Sequence, residues 1–113
     1  MSDAPTYVVE IPGLKTVSEM NVREHWAIRN KRRAHQARLV RSALLVAGVR
    51  KGVPRRVHLT RVGRRPMDSD NACISFKAIR DSVAEVLGFN DSHDVWTYAQ
   101  EAGPYGVRIE VWT

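Results

Sequence analysis

The chain has 113 residues, 43% of them hydrophobic and 27% charged, with a formal net charge of +6. That length suits one domain over residues 1–113 and leaves too little chain for two independent cores. The longest uncharged apolar run, Ser42 to Val49, falls far short of the ~20 residues of a membrane span, and the single cysteine, Cys73, excludes an internal disulfide and a Cys-rich zinc cluster.

Residues 1–19 carry a net charge of −2. Their opening, MSDAPTYVVEIPG, has no basic region leading into an apolar stretch, so no secretory signal and a reducing, cytoplasmic setting are expected. Tyr7 to Ile11 is a short β-type run stopped by Pro12 and Gly13, and Lys15 to Met20 reads as loop. From about Arg23 to Ala47 the chain is rich in Arg, Ala, Leu and Gln and lacks Pro and Gly, which predicts a helix stopped at Gly48. Ala37, Val40, Leu44 and Ala47 fall at helical spacing as its apolar stripe. Arg56 to Val62 alternates as a strand, with Val57, Leu59 and Arg61 on one side.

Gly63 to Met67 is a turn, and Asp68 to Asn71 offers helix-cap residues. Apolar residues at 72, 76, 79, 83, 86 and 87 predict a helix of about four turns ended by Gly88. Asn90 to Asp94 is a polar loop. Val95 to Gln100 and Val107 to Trp112 are strand-like runs around Gly103, Pro104 and Gly106, which predicts a hairpin. The order β-α-β-α-β-β predicts an α+β fold: two layers, with a small mixed sheet covered by two helices on one face.

Residues 20–65 hold fourteen Lys/Arg against one acid, a net charge of +13, while residues 66–113 carry −5. A segment this basic points to a polyanionic partner, nucleic acid above all. The acidic half then needs a separate task. Asp68-Ser69-Asp70-Asn71 places two carboxylates at i and i+2 just before a helix, able to aim at one hard cation such as Mg²⁺. Taken alone, DxDN reads more readily as a helix cap. At ~100° per residue, Asp70, Lys77 and Asp81 fall within about 40° of one another on the predicted helix, away from its apolar face. Lys77 and Asp81 also have the spacing of a solvated i,i+4 pair. His25, His35, His58 and His93 show no metal-ligand spacing, Cys73 has no nearby partner, and no Gly-rich phosphate loop is present. Trp26, Trp96 and Trp112 read as core or interface anchors.

Arg64-Arg65-Pro66-Met67-Asp68-Ser69-Asp70-Asn71, followed by Lys77-Ala78-Ile79-Arg80-Asp81 and Leu87-Gly88-Phe89-Asn90-Asp91, resembles the RusA-type Holliday junction resolvases. These are small phage and prophage endonucleases. The clear likeness covers about residues 61–110, with a weaker one over Asn21 to Arg41. The resemblance implies a homodimeric, Mg²⁺-dependent enzyme that cuts four-way DNA junctions and related branched DNA symmetrically. It implies Asp68, Asp70 and Asp91 as metal ligands and Lys77 as the essential Lys. Two departures stand out. The DxDN-to-Lys77 spacing is three residues longer than in the best-known member, about one helical turn, and the first acid of the terminal pair is Asn90, for which Asp94 is a substitute. Lys31, Arg32, Arg33, Arg64 and Arg65 are the expected DNA contacts. The rival expectations are a non-enzymatic basic DNA-binding phage accessory or regulatory protein, and an RNA-binding protein.

Overall fold

Val57 and Leu59 are fully buried, and so are the residues they face across the ladder, Val111 and Ile109. Burying each such side chain contributes about 1.5–3 kcal/mol, which places their strand at the centre of the protein. The computed structural model describes residues 3–16 and 26–113, with the backbone alone at Ser69 and Asp70. Its elements are β1 (Tyr7–Pro12), α1 (Trp26–Val46), β2 (Arg56–Gly63), α2 (Ser69–Ser75), α3 (Lys77–Leu87), β3 (Trp96–Ala102) and β4 (Gly106–Trp112). The four strands form one mixed sheet in the order β1-β4-β2-β3, and the helices pack on one of its faces. The fold is α+β, as expected. His25, the predicted helix start at Arg23 and the predicted loop from Val17 to Met20 lie outside the described residues.

The predicted hairpin does not form. β4 pairs antiparallel with β1 and with β2, while β3 pairs parallel with β2 on its other side. The chain does reverse direction at Gly103–Tyr105, but it steps across the end of β2 as it does so, and Gly103 N–H donates to the Gly63 carbonyl at 3.1 Å. Turn residues specify reversal and say nothing of which strand lies alongside. The parallel pair is the product of a helical crossover, the usual connection for such strands.

The single helix predicted over residues 72–87 is two helices. Phe76 sits at φ −88°, ψ 0° between α2 and α3. Its ring is fully buried and stacks on Tyr98 at 5.5 Å, and Ser75 Oγ donates to the Ala72 carbonyl at 2.7 Å. Such back-bonding competes with the helical ladder and bends it. The continuous line from Asp70 through Lys77 to Asp81 is therefore interrupted.

α1 buries Gln36, Val40 and Leu44, a narrow stripe at every fourth residue, against α3, which buries Ile79, Val83 and Leu87. Ala37 is only half-buried and Ala47 is exposed, so the stripe starts one residue earlier than expected, at Gln36, and ends one turn earlier, at Leu44. The two helices run in the same direction. Arg33, Ala34 and Ala37 line a groove with Lys77, Ala78 and Asp81, and further along Arg41 pairs with Glu85 at 3.5 Å. Of the three tryptophans, Trp112 is buried, Trp96 half-buried, and Trp26 is 68% exposed at the start of α1.

Candidate metal and nucleic-acid site

The Arg64–Asp68 segment is held by two side chains from the sheet. Gln100, on β3, donates from Nε2 to the Met67 carbonyl and accepts the Met67 N–H at Oε1, both at 2.8 Å. Arg61, on β2, is nine-tenths buried at 6% exposure. Its Nε donates to Thr16 Oγ1 at 3.0 Å, and Nη1 donates to the Arg65 carbonyl at 2.8 Å and to Gln100 Oε1 at 3.4 Å. These contacts fix the residue immediately before Asp68. Gln100 was not singled out from sequence. The burial of Arg61 was legible in its alternation with Val57 and Leu59, though its partners were not.

Asp68 occupies the N-cap position of α2, but its side chain makes no capping hydrogen bond. It is exposed. The plain cap explanation is therefore not realised at this residue, and its carboxylate oxygens remain open as hard donors of the kind Mg²⁺ takes. Asp70 lies in the first turn of α2, and its side chain lies outside the description. Among the described residues, no three His, Cys, Asp or Glu side chains are grouped closely enough to hold a metal ion.

Lys77 pairs with Asp81 at 3.6 Å, the expected i,i+4 contact, and both are about half exposed. Both line the groove of about 280 Å³ that Arg33 borders from α1. The structure thus brings the early, basic turns of α1 beside the start of α3, two regions separated in sequence by more than forty residues. Lys31 is exposed on α1, with Arg32 and Arg33 half-buried beside it. Arg64 and Arg65 are exposed at the far end of β2, and the Arg64 guanidinium lies 6.0 Å from the centre of the Tyr105 ring.

Gly88, at φ 75°, ends α3 in the left-handed conformation that glycine adopts without strain, and turns the chain into the Asn90–Asp94 loop. Asn90 Oδ1 accepts the Ser92 N–H at 2.9 Å, so this carboxamide is engaged in a local turn. Asp94 is exposed. Asp91 faces Arg80, with Oδ2 3.8 Å from Nη2, while its carbonyl accepts Trp96 Nε1–H at 2.9 Å. Arg80 also donates to Tyr98 Oη at 3.1 Å and lies 5.7 Å from the centre of the Trp96 ring. Burial opposes the Arg80 charge. The Tyr98 hydrogen bond and the Asp91 and Asp81 carboxylates outweigh that cost and raise its pKa.

The Asp68 and Asp91 loops are consequently moored to one face of β3, at Gln100 and at Trp96. Four residues along a strand span roughly 13 Å. Between the moorings lies a groove of about 260 Å³ lined by Ala72, Cys73, Tyr98, Ala99 and Gln100. No family model matches the chain, and no curated protein matches it.

Proposed function

We propose that the protein is a Mg²⁺-dependent, structure-specific endodeoxyribonuclease that resolves four-way junctions and related branched DNA, acting as a homodimer in the cytoplasm. The single observation that supports this most is Asp68. A carboxylate at an N-cap that makes no capping bond, on a segment clamped from two strands, has the character of a ligand held in place. It also has the i, i+2 spacing to Asp70 that two-carboxylate sites use.

In this proposal Asp68 and Asp70 would hold the ion, with Asp91, which faces Arg80 in the structure, as the third ligand. When bound, Mg²⁺ supplies a Lewis acid for the phosphodiester and lowers the pKa of a coordinated water. Lys77 offers a compact positive charge to the phosphoryl oxygens as charge develops on them. Lys31, Arg32 and Arg33 hold flanking phosphates, which positions the strand without reading its sequence. Gln100 and Arg61 act as positioning residues, because they set the path of the segment that carries Asp68. A two-fold dimer matches the near two-fold symmetry of a four-way junction and would present two such sites to it.

The test is incubation of the protein with a four-way DNA junction and with a linear duplex of the same sequence, each with and without Mg²⁺. Paired nicks in the junction that require Mg²⁺ are the expected result. Junction binding without cleavage over a range of Mg²⁺ concentrations would overturn the enzymatic proposal in favour of a non-enzymatic DNA-binding protein.

A further inference from the structure

Arg61 carries more charge than its structural contacts use. Nε and Nη1 bond only to neutral oxygens, those of Thr16, Arg65 and Gln100. Among the described residues, no carboxylate lies within ion-pair distance of its guanidinium, and Nη2 has no hydrogen-bond acceptor. A buried cation without a counter-charge is costly. A neutral donor such as glutamine would be cheaper if pinning the loop were the whole task.

The unused edge of the guanidinium borders open space. A pocket of about 170 Å³ is lined by Arg61, Gly63, Arg64, Gln100 and the acid Glu101, with Pro66 and Ala102 completing it. Gly63 makes room for the guanidinium beside that space: a Cβ there would stand 2.8 Å from Arg61 Nη2, 3.0 Å from Cζ and 3.1 Å from Nη1. The acid in that lining is already engaged, since Glu101 forms an ion pair with Arg108 that holds its carboxyl below the usual range. Arg64, exposed at the rim, adds a second guanidinium. The two N–H groups of Nη2, beside a small cavity, suit an oxyanion oxygen, and arginine matches phosphate as well as it does carboxylate.

We propose that Arg61, with Arg64 at the rim, forms a phosphate pocket that seats a non-scissile phosphodiester of bound nucleic acid. Three hydrogen bonds, to Thr16, Arg65 and Gln100, pre-orient the guanidinium, so little side-chain entropy is lost on binding. Because Nη1 of the same group holds the Arg65 carbonyl, an occupied pocket also stiffens the segment leading to Asp68. This rests on the nucleic-acid reading of the basic half and is independent of whether the protein cleaves.

The experiment is an NMR titration of the wild-type protein with orthophosphate at constant ionic strength, balanced by chloride, observing the Arg61 guanidinium resonances. A second arm adds a short DNA duplex to the phosphate-saturated protein. A saturable shift is expected, reversed by the duplex. Arg61→Gln should abolish it. Because that variant also loosens the loop, Ala102→Glu is the companion: Ala102 is exposed and outside the Arg61 hydrogen bonds, and a carboxylate there should weaken phosphate binding about tenfold with an unchanged melting temperature. No saturable shift, wild-type phosphate affinity in Ala102→Glu, or a duplex that leaves phosphate in place would each overturn the pocket. Cleavage of a junction with Mg²⁺ is scored separately. Phosphate binding without cleavage keeps the pocket and removes the nuclease, and cleavage without phosphate binding does the reverse.

Discussion

The carboxamide of Gln100 closes on the backbone of Met67 in both directions, donating to its carbonyl and accepting its N–H at 2.8 Å each. A side chain thereby does what a neighbouring strand would do, and the residue so held is the one before Asp68. Gln100→Ala removes three part-buried hydrogen bonds, the two at 2.8 Å to Met67 and a longer one at 3.4 Å from Arg61. At ~1 kcal/mol for each of the two short ones, the protein should lose about 2 kcal/mol of stability or a little more, and roughly 5–10 °C in Tm. Junction cleavage, measured well below the new Tm, should fall further than stability alone explains. Unimpaired cleavage by a protein with the lowered Tm would show that the clamp serves folding only.

Asp68→Asn and Asp70→Asn should abolish cleavage while leaving junction binding intact, because the basic half carries binding. Asp68 makes no capping bond, so Asp68→Ala should cost less than the ~1 kcal/mol typical of a lost N-cap. Chemical denaturation measures that cost, and a loss of 1–2 kcal/mol would return Asp68 to a capping role. Wild-type cleavage by Asp70→Asn would remove it from the metal site.

Replacing Lys31, Arg32 and Arg33 together by Ala should weaken DNA binding for all sequences alike. The slope of log K against log salt should shrink by roughly 2–3, the signature of three lost phosphate contacts. Binding isotherms between low and physiological salt measure it, and an unchanged slope would move the DNA path to Arg64 and Arg65.

Lys77 separates chemistry from stability. As an exposed partner of Asp81 at 3.6 Å, it should contribute only ~0.3–0.5 kcal/mol to folding. A contact with the reacting phosphate would make its loss cost a hundredfold or more in rate, on the order of other electrostatic stabilisers. Lys77→Ala should therefore melt within a degree or two of wild type yet cut junctions very slowly at saturating Mg²⁺. Lys77→Arg should restore only part of the rate, since a planar fork places charge differently. Near-normal cleavage by Lys77→Ala would leave the residue as a solvated helix pair.

His58 gives a pH signature on the open face of the sheet. Its Nδ1 lies 2.6 Å from Thr97 Oγ1. Burial, above all, holds its pKa below the ordinary 6.5; Arg56 and Arg108 add to the shift, while Glu110 and Glu101 oppose it. The unfolded chain therefore takes up the proton first as pH falls. The resulting stability is complete above pH 6.5 and is lost as pH drops from there through the folded-state value. Tm should decline over that range in the wild type and decline less steeply in His58→Gln. Equal slopes would mean that His58 titrates alike in both states.

What the sequence by itself determined is local. Helical spacing identified Val40 and Leu44 on α1 and Ile79, Val83 and Leu87 on α3 as core, and alternation put Val57, Leu59 and Arg61 on one side of β2. The Lys77–Asp81 pair and the position of Asp68 at a helix start were equally legible, since each depends on residues within one turn of each other. The tertiary structure decided what distant residues do together. It put β2 between β3 and β4 where turn chemistry suggested a hairpin, because its apolar side chains are best buried at the sheet's centre. Burial of Phe76 against Tyr98 broke one predicted helix into two. The contacts of Gln100 with Met67, of Arg61 with Thr16 and of Asp91 with Arg80 join residues eleven to forty-five positions apart. Periodicity records which face of an element is apolar. It does not record which polar group on another element will meet it, because that depends on how the elements are laid side by side.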